Sequence, residues 1–475
     1  MRRAAVINFI SRYSAAAVQM FMNFILARLI SPKEFGVVTI ITVFTGFIAL
    51  FSDMGISPAV IQYKDLENKD YESLYTVTFY IGLILAFFFS LMGFVLNALY
   101  GNRVYIPLCA ILSIAVFLNS INVVPNAIMM KEQQFLENGV RTFVSALVCG
   151  SITICLAFFH FRYYAVVLNS VLTAVFTCIW NCIRRPIAFH FCFQVAPIKK
   201  IFRFCSFQML FSSVSYFASN TDTLLVGKTM GEEKTGLYDK AYQLMTYPMT
   251  MFAGIITPVL HPVLSNYQTD RNLLYCYFIK ILRILLYFSI FVSCVCYFAP
   301  EEIIGILYGS NWEAAVRPFQ ILSLSIVTKM CNSIAGSFFQ TLGKTQVLFK
   351  TGVLSTIMIV FFTFAGILGG SLESVAAFVS AGHILNFWLA FYYLMKEGFE
   401  TGYLEFLKIT IKPYSIYVLI LAILHFLDIP ECGIFLSLIT KLLIAAILYG
   451  MLFAVSGEWK NLREVYAALL CRNHQ

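Results

Sequence analysis

Apolar runs of about 20 residues follow one another along the chain, separated by short polar links, and each run matches the length a helix needs to cross a bilayer. IGLILAFFFSLMGFVLNALY, from Ile81 to Tyr100, is one of them. It shows none of the apolar/polar alternation that a strand of a membrane barrel carries. The pattern predicts fourteen spanning helices, near 6–29, 36–60, 73–99, 104–128, 140–160, 163–183, 203–227, 237–262, 277–299, 316–341, 346–369, 373–395, 408–427 and 433–455. The first run continues past Ile25 and is interrupted by Arg12, so it reads as a retained span rather than a cleaved signal.

Composition sharpens this to an all-α integral membrane protein. Of 475 residues, 60% are hydrophobic, 16% aromatic and only 12% charged, against about 25% charged in soluble domains. No stretch remains for a sizeable soluble domain. Lys and Arg gather on alternate links, which places both termini in the cytoplasm by the positive-inside rule. The link between spans six and seven is the most basic, with Arg184, Arg185, Lys199, Lys200 and Arg203. As a topology signal it accounts for much of the net charge of +9, which therefore requires no nucleic-acid partner. The 13 cysteines are scattered, without metal-ligand spacing, and read as small buried hydrophobes.

A repeat organises the spans. NFILARLISPKEFG (Asn23 to Gly36) lies over DTLLVGKTMGEEKTG (Asp222 to Gly236) with one inserted residue, and the same offset brings Pro58 over Pro258. Six spans separate the copies, so both run in the same direction, as in the parallel-repeat plan of alternating-access transporters. The expected division is an N-lobe at 1–183, a basic cytoplasmic linker at 184–202, a C-lobe at 203–395, and two further helices with a tail at 396–475. Pro58 and Pro258 read as repeated hinges near helix ends.

Polar residues inside apolar runs are costly and mark cavities or partners. Arg12, Gln19 and Asn23 share one face of the first span; Gln208, Ser212, Ser215, Ser219 and Asp222 share one face of the seventh. The tenth carries Lys329 and Ser333 on one face, with Asn332 alongside. Lys329 lies about 13 residues into its span, near the bilayer centre. These stripes predict a hydrophilic cavity with Lys329 and Arg12 as its cations. Asp53 and Asp222 fall near span ends and read as gate or ion-pair residues, with Lys228 a natural partner for Asp222. No nucleotide-binding loop, metal motif or catalytic elbow is present, so transport would draw on a proton, sodium-ion or substrate gradient.

LARLISPKEFG, FSDMGISPAVIQ, NTDTLLVGKTMGEEKTGLYDKAYQLMTYPMTMF and FFQTLGKTQ together resemble the landmarks of Wzx-type polysaccharide flippases. These belong to the multidrug, oligosaccharidyl-lipid and polysaccharide (MOP) exporter superfamily. The resemblance implies two six-helix bundles with two added helices and residence in a bacterial inner membrane. It also implies a substrate, undecaprenyl-diphosphate-linked glycan, with membrane lipids, a polysaccharide polymerase and a chain-length regulator as partners. Two other readings stay open. A cation-coupled drug exporter of the same superfamily would carry an embedded acidic cluster, and a membrane polymerase or ligase would carry a large outer loop.

Overall fold

The computed structural model describes residues 2–63, 66–191, 195–265, 270–427, 433–455 and 457; within these, the side chains of 2–12, 195–200, 202–204, 207, 208, 211, 214, 215, 218, 252–265 and 345 lie outside the description. Every regular element among the described residues is helical. Contacts divide the chain into two compact units, Met1–Gly236 and Leu237–Gln475.

The first unit holds α1 (Arg2–Leu29), α2 (Pro32–Asp53), α3 (Ile56–Gln62), α4 (Asn68–Tyr100), α5 (Tyr105–Lys131), α6 (Phe135–Phe158), α7 (Tyr163–Arg184) and α8 (Val195–Met230). Its core is built by Val37, Ile40 and Ile41 of α2 against Phe89 and Leu96 of α4, Leu108 and Leu112 of α5, and Val167 and Ala174 of α7. The opposite face of α4 leaves Leu83, Phe87, Phe88 and Phe94 exposed, as lipid-facing side chains must be where hydrocarbon replaces water. The turn before α2 follows from its sequence. Ser31 caps the helix, Glu34 reaches back to the Ser31 amide at 3.0 Å, and Pro32 occupies a first-turn position where no N–H is needed.

The break between α2 and α3 falls at Met54 and Gly55, both left-handed with φ of 45° and 74°. Pro58 stands in the first turn of α3, where its missing N–H costs nothing. Asp53 holds the break: its carboxylate accepts from the Gly55 amide at 3.1 Å, the Ser57 amide at 3.4 Å and the Ser57 hydroxyl. The side chain of Pro258 lies outside the described residues.

The second unit holds α9 (Glu232–Ser265, whose first turn still belongs to the first unit), α10 (Arg271–Phe298), α11 (Pro300–Leu307), α12 (Val316–Ser323), α13 (Ile326–Asn332), α14 (Ala335–Thr341), α15 (Thr345–Leu368), α16 (Leu372–Tyr393), α17 (Tyr403–His425) and α18 (Ile434–Val455). Among the described residues, ten helices are long and apolar enough to cross a membrane, and the bent pair Ser310–Ser323 and Ile326–Thr341, at 56°, makes eleven. With the long helices α1, α8 and α9, helices stand at all fourteen expected positions. A break inside a span frees backbone carbonyls that lipid cannot satisfy. Here neighbouring hydroxyls do so: Ser293 donates to the Ser323 carbonyl at 2.7 Å, Ser380 to that of Ile321 at 3.2 Å and Tyr417 to that of Leu324 at 3.4 Å.

α18 is pinned by a buried pair. Lys441 lies 2.6 Å from Glu302 of α11, and the Ser437 hydroxyl donates to the same carboxylate at 2.5 Å. Burial opposes charge on Glu302, but the hydrogen bonds from Lys441 and Ser437 outweigh it and hold the carboxyl below its ordinary value.

The two glycines aligned by the repeat meet each other. A Cβ on Gly36 would lie 1.6 Å from the Glu232 carbonyl oxygen, and one on Gly236 would lie 2.0 Å from that of Pro32. Each helix thus rests on the carbonyl one turn before the other's glycine. Gly36→Ala is expected to cost about 1–3 kcal/mol, the range for overpacking, whereas Gly352→Ala, with nothing within 4 Å, leaves stability unchanged or raised. Thermal unfolding of the purified variants in detergent checks this; equal midpoints for Gly36→Ala and wild type would contradict it.

Candidate functional site

Helices α1, α6 and α7 enclose a cavity of about 180 Å³. Its polar wall comprises Gln19 and Asn23 of α1, Arg141, Thr142, Ser145 and Thr153 of α6, and Asn169, Thr173 and Thr177 of α7. The α7 residues fall at i, i+4 and i+8, which brings them to one side of that helix. From Arg141 to Thr153 the wall runs about 18 Å along α6 at 1.5 Å per residue, so the cavity is elongated along its helices. Gly150 lets α1 come close, since a Cβ there would collide with Met22. The polar part of the lining is amide and hydroxyl with one guanidinium, Met22, Leu26, Ala146 and Val166 complete it, and no carboxylate contributes among the described residues.

Arg141 is 6% exposed, and its surroundings are unusual for a buried cation. Nη1 donates to Asn126 at 2.7 Å and Asn181 at 2.5 Å, and Nη2 donates to Asn138 at 2.6 Å. Asn181 in turn donates to Asn122 at 2.8 Å. Three asparagines from α5, α6 and α7 thus hold the guanidinium through neutral side-chain oxygens, and Asn122 holds one of them in turn. Asn122 and Asn181 also line a second cavity of about 140 Å³, beside Tyr75 and Arg185. Glu137, one turn before Arg141 on the same helix, faces Arg184 at 3.5 Å.

The residues predicted from sequence divide. Gln19 and Asn23 line the cavity, while the side chains of Arg12, Gln208 and Ser215 lie outside the described residues. Ser212 is half-buried and Ser219 exposed on α8, and neither belongs to this lining. Asp222 is buried and accepts from the Thr223 amide at 2.8 Å; Lys228 donates to the Leu99 carbonyl at 2.6 Å. Asp53 acts on the break described above.

In the second unit, Lys329 projects from the short α13, whose ends are both helix breaks. Its Nζ donates to the Tyr242 hydroxyl at 2.5 Å and lies 4.0 Å from the centre of the Tyr242 ring, a cation–π arrangement. The same hydroxyl is 3.4 Å from Nε2 of the buried His383. Ser333 bonds back to the Met330 carbonyl at 2.7 Å, and Asn332 is half-buried beside it. Lys329, Tyr242 and His383 therefore form a chain of titratable groups joined through one hydroxyl.

Comparison with known proteins places the chain. The family described as "Polysaccharide biosynthesis protein" matches residues 25–317. The protein belongs to this polysaccharide biosynthesis family. It is 23% identical over 415 residues to the lipopolysaccharide biosynthesis protein WzxC of Escherichia coli (strain K12), covering 86% of this chain and 84% of that one. With the teichuronic acid biosynthesis protein TuaB of Bacillus subtilis (strain 168) it shares 25% identity over 357 residues, 73% of each chain. Among solved structures, the lipid II flippase MurJ in an inward closed conformation superposes with a TM-score of 0.76 at 15% identity, over 96% of this chain and 99% of that one. An inward-facing multidrug transporter of the MATE family in the MOP superfamily gives 0.60 at 19% identity, over 79% and 93%. The fold of this polysaccharide biosynthesis protein is thus the one seen in MurJ and in the MATE transporter, and its many long apolar helices make it a multi-pass membrane protein.

Arg141, Tyr242 and His383 are not singled out by sequence reasoning. Arg141 stands seven residues into α6, where an arginine reads as a topology marker. The α7 stripe of Asn169, Thr173 and Thr177 was the available signal, because steps of four put it on one side of the helix, as they do Gln19 and Asn23 on α1.

Proposed function

We propose that this polysaccharide biosynthesis protein flips a lipid-linked oligosaccharide from the cytoplasmic to the outer leaflet of a bacterial inner membrane, with both termini cytoplasmic, by alternating access. The observation that carries the reading is the polar, carboxylate-free cavity of α1, α6 and α7, set in a unit whose outer helix faces are apolar. A lipid-linked glycan keeps its tail in hydrocarbon, while its head needs hydrogen-bond partners that lipid cannot give. Amides and hydroxyls supply these to sugars, and a cation supplies one to a diphosphate. The cavity is smaller than the roughly 300–1,000 Å³ usual for a drug-sized ligand, so it takes one part of the head at a time. A drug exporter for cations would place carboxylates in this lining, where none stands among the described residues. Undecaprenyl diphosphate is the carrier implied by the resemblance, and a polymerase with its chain-length regulator would receive the product.

Coupling belongs, on this reading, to the second unit, where the hydroxyl of Tyr242 bridges Lys329 and His383. Such a chain passes protons rather than holding a sodium ion, because an ammonium occupies it.

Deleting the gene is expected to abolish surface polysaccharide and to accumulate its lipid-linked precursor in the inner leaflet, with the wild-type gene restoring both. Intact polysaccharide together with altered drug susceptibility would overturn the reading. Tyr242→Phe keeps the ring beneath Lys329 and removes the bridging hydroxyl. At unchanged abundance it should lower polysaccharide export at least fivefold, and wild-type export would remove the proton chain from the mechanism.

A further inference from the structure

We propose that Arg141 is an oxyanion-binding site, held by the neutral acceptors of its asparagine cage and open to the α1–α6–α7 cavity. The donor count comes first. A guanidinium has five N–H donors; Nη1 is engaged by Asn126 and Asn181, with the Met129 sulfur at 3.6 Å, and Nη2 gives one hydrogen to Asn138. Two donors, one of them Nε–H, have no protein acceptor among the described residues. Arg141 lines the cavity, so an acceptor entering there reaches the same side chain.

Charge comes second. A buried cation that serves only to hold helices together is ordinarily paired with a carboxylate, since removing one partner leaves a penalty of several kcal/mol. The hydrogen-bond acceptors on Arg141 are all neutral, and the nearby acid, Glu137, is shared with Arg184 at 3.5 Å. The cage thus fixes the geometry of the guanidinium without cancelling its charge, which suits a phosphate or carboxylate oxygen that arrives and leaves. Ser145 beside Arg141 and Thr177 of α7 line the same cavity and provide hydroxyls for the remaining lone pairs.

Only the identity of the ligand rests on the flippase reading. Under it, the same oxyanion chemistry has two sources: the diphosphate joining glycan to carrier, or the carboxylate of an acidic sugar. With both termini cytoplasmic, α6 starts on the cytoplasmic side, so Arg141 lies toward the leaflet from which substrate is loaded.

The test measures binding of inorganic pyrophosphate and of glucuronate, each by calorimetry, to the purified full-length protein in nanodiscs. Wild type is expected to bind at least one of them, pyrophosphate marking the carrier diphosphate and glucuronate the acidic sugar. Arg141→Gln should weaken that binding at least tenfold. Because Arg141→Gln removes a buried hub, Asn181→Asp is the companion variant: it leaves Arg141 in place and supplies a carboxylate to its cage. It should unfold at or above the wild-type temperature and still lose at least tenfold in anion affinity. Binding unchanged in Arg141→Gln or Asn181→Asp, or no binding of either anion to wild type, would overturn the site. A protein that restores polysaccharide but binds neither anion retains the flippase reading and loses this one. Arg141-dependent binding in a protein whose deletion leaves polysaccharide intact does the reverse.

Discussion

A guanidinium buried among neutral amides is the constraint on which the first unit's chemistry depends. Moving a charge out of water costs several kcal/mol even after relaxation, and three side-chain oxygens within hydrogen-bond distance of Arg141 repay part of that cost. They repay it without a negative charge. The asparagines must then be held in register by α5, α6 and α7: Leu108 and Leu112 of α5 pack in one core with Val167 and Ala174 of α7, and α6 packs along α7. Packing and polarity serve a single end here: the apolar core positions an amide cage, and the cage leaves positive potential at the cavity wall.

The second unit solves a related problem differently. Its broken span would expose carbonyls to lipid, and Ser293, Ser380 and Tyr417 close them off from α10, α16 and α17. The short α13 between the breaks then carries Lys329 to Tyr242 and His383. A helix interrupted on both sides of a charged residue can change its tilt at lower cost than a continuous one, because tighter three-residue bonds already replace the α-helical ladder at the hinges. α17 and α18, which have no counterpart in the repeat, take part in this arrangement through Tyr417 and through the Lys441–Glu302 pair.

Much of this fold was legible from run length and hydropathy alone, since lipid requires every spanning backbone to satisfy itself. The repeat was legible as an alignment of Gly36 with Gly236, and the reason for it, mutual contact of helix backbone through absent side chains, needed coordinates. Of the site, Gln19 and Asn23 were readable because their helical spacing puts them on one side of an apolar span. Arg141 was not. Its cage draws on positions 122 and 126 of α5, 138 of α6 and 181 of α7, which only the folded chain brings together, and its place near a helix end imitates an ordinary topology arginine. Lys329 stood out by depth, whereas its partners Tyr242 and His383, about 90 and 50 residues away, could be joined to it only by the folded chain.

The central claim is that a polar cavity within this fold carries the head of a lipid-linked glycan through the membrane. Proteoliposomes holding the purified protein and a fluorescent undecaprenyl-diphosphate glycan test it most directly, with a membrane-impermeant quencher reporting the fraction of head groups in the outer leaflet. The account predicts that quenching grows with time beyond that of protein-free vesicles and that blocking the cavity by Asn169→Trp suppresses the growth. A time course identical to that of protein-free vesicles, or one unaffected by Asn169→Trp at equal reconstitution, would contradict it.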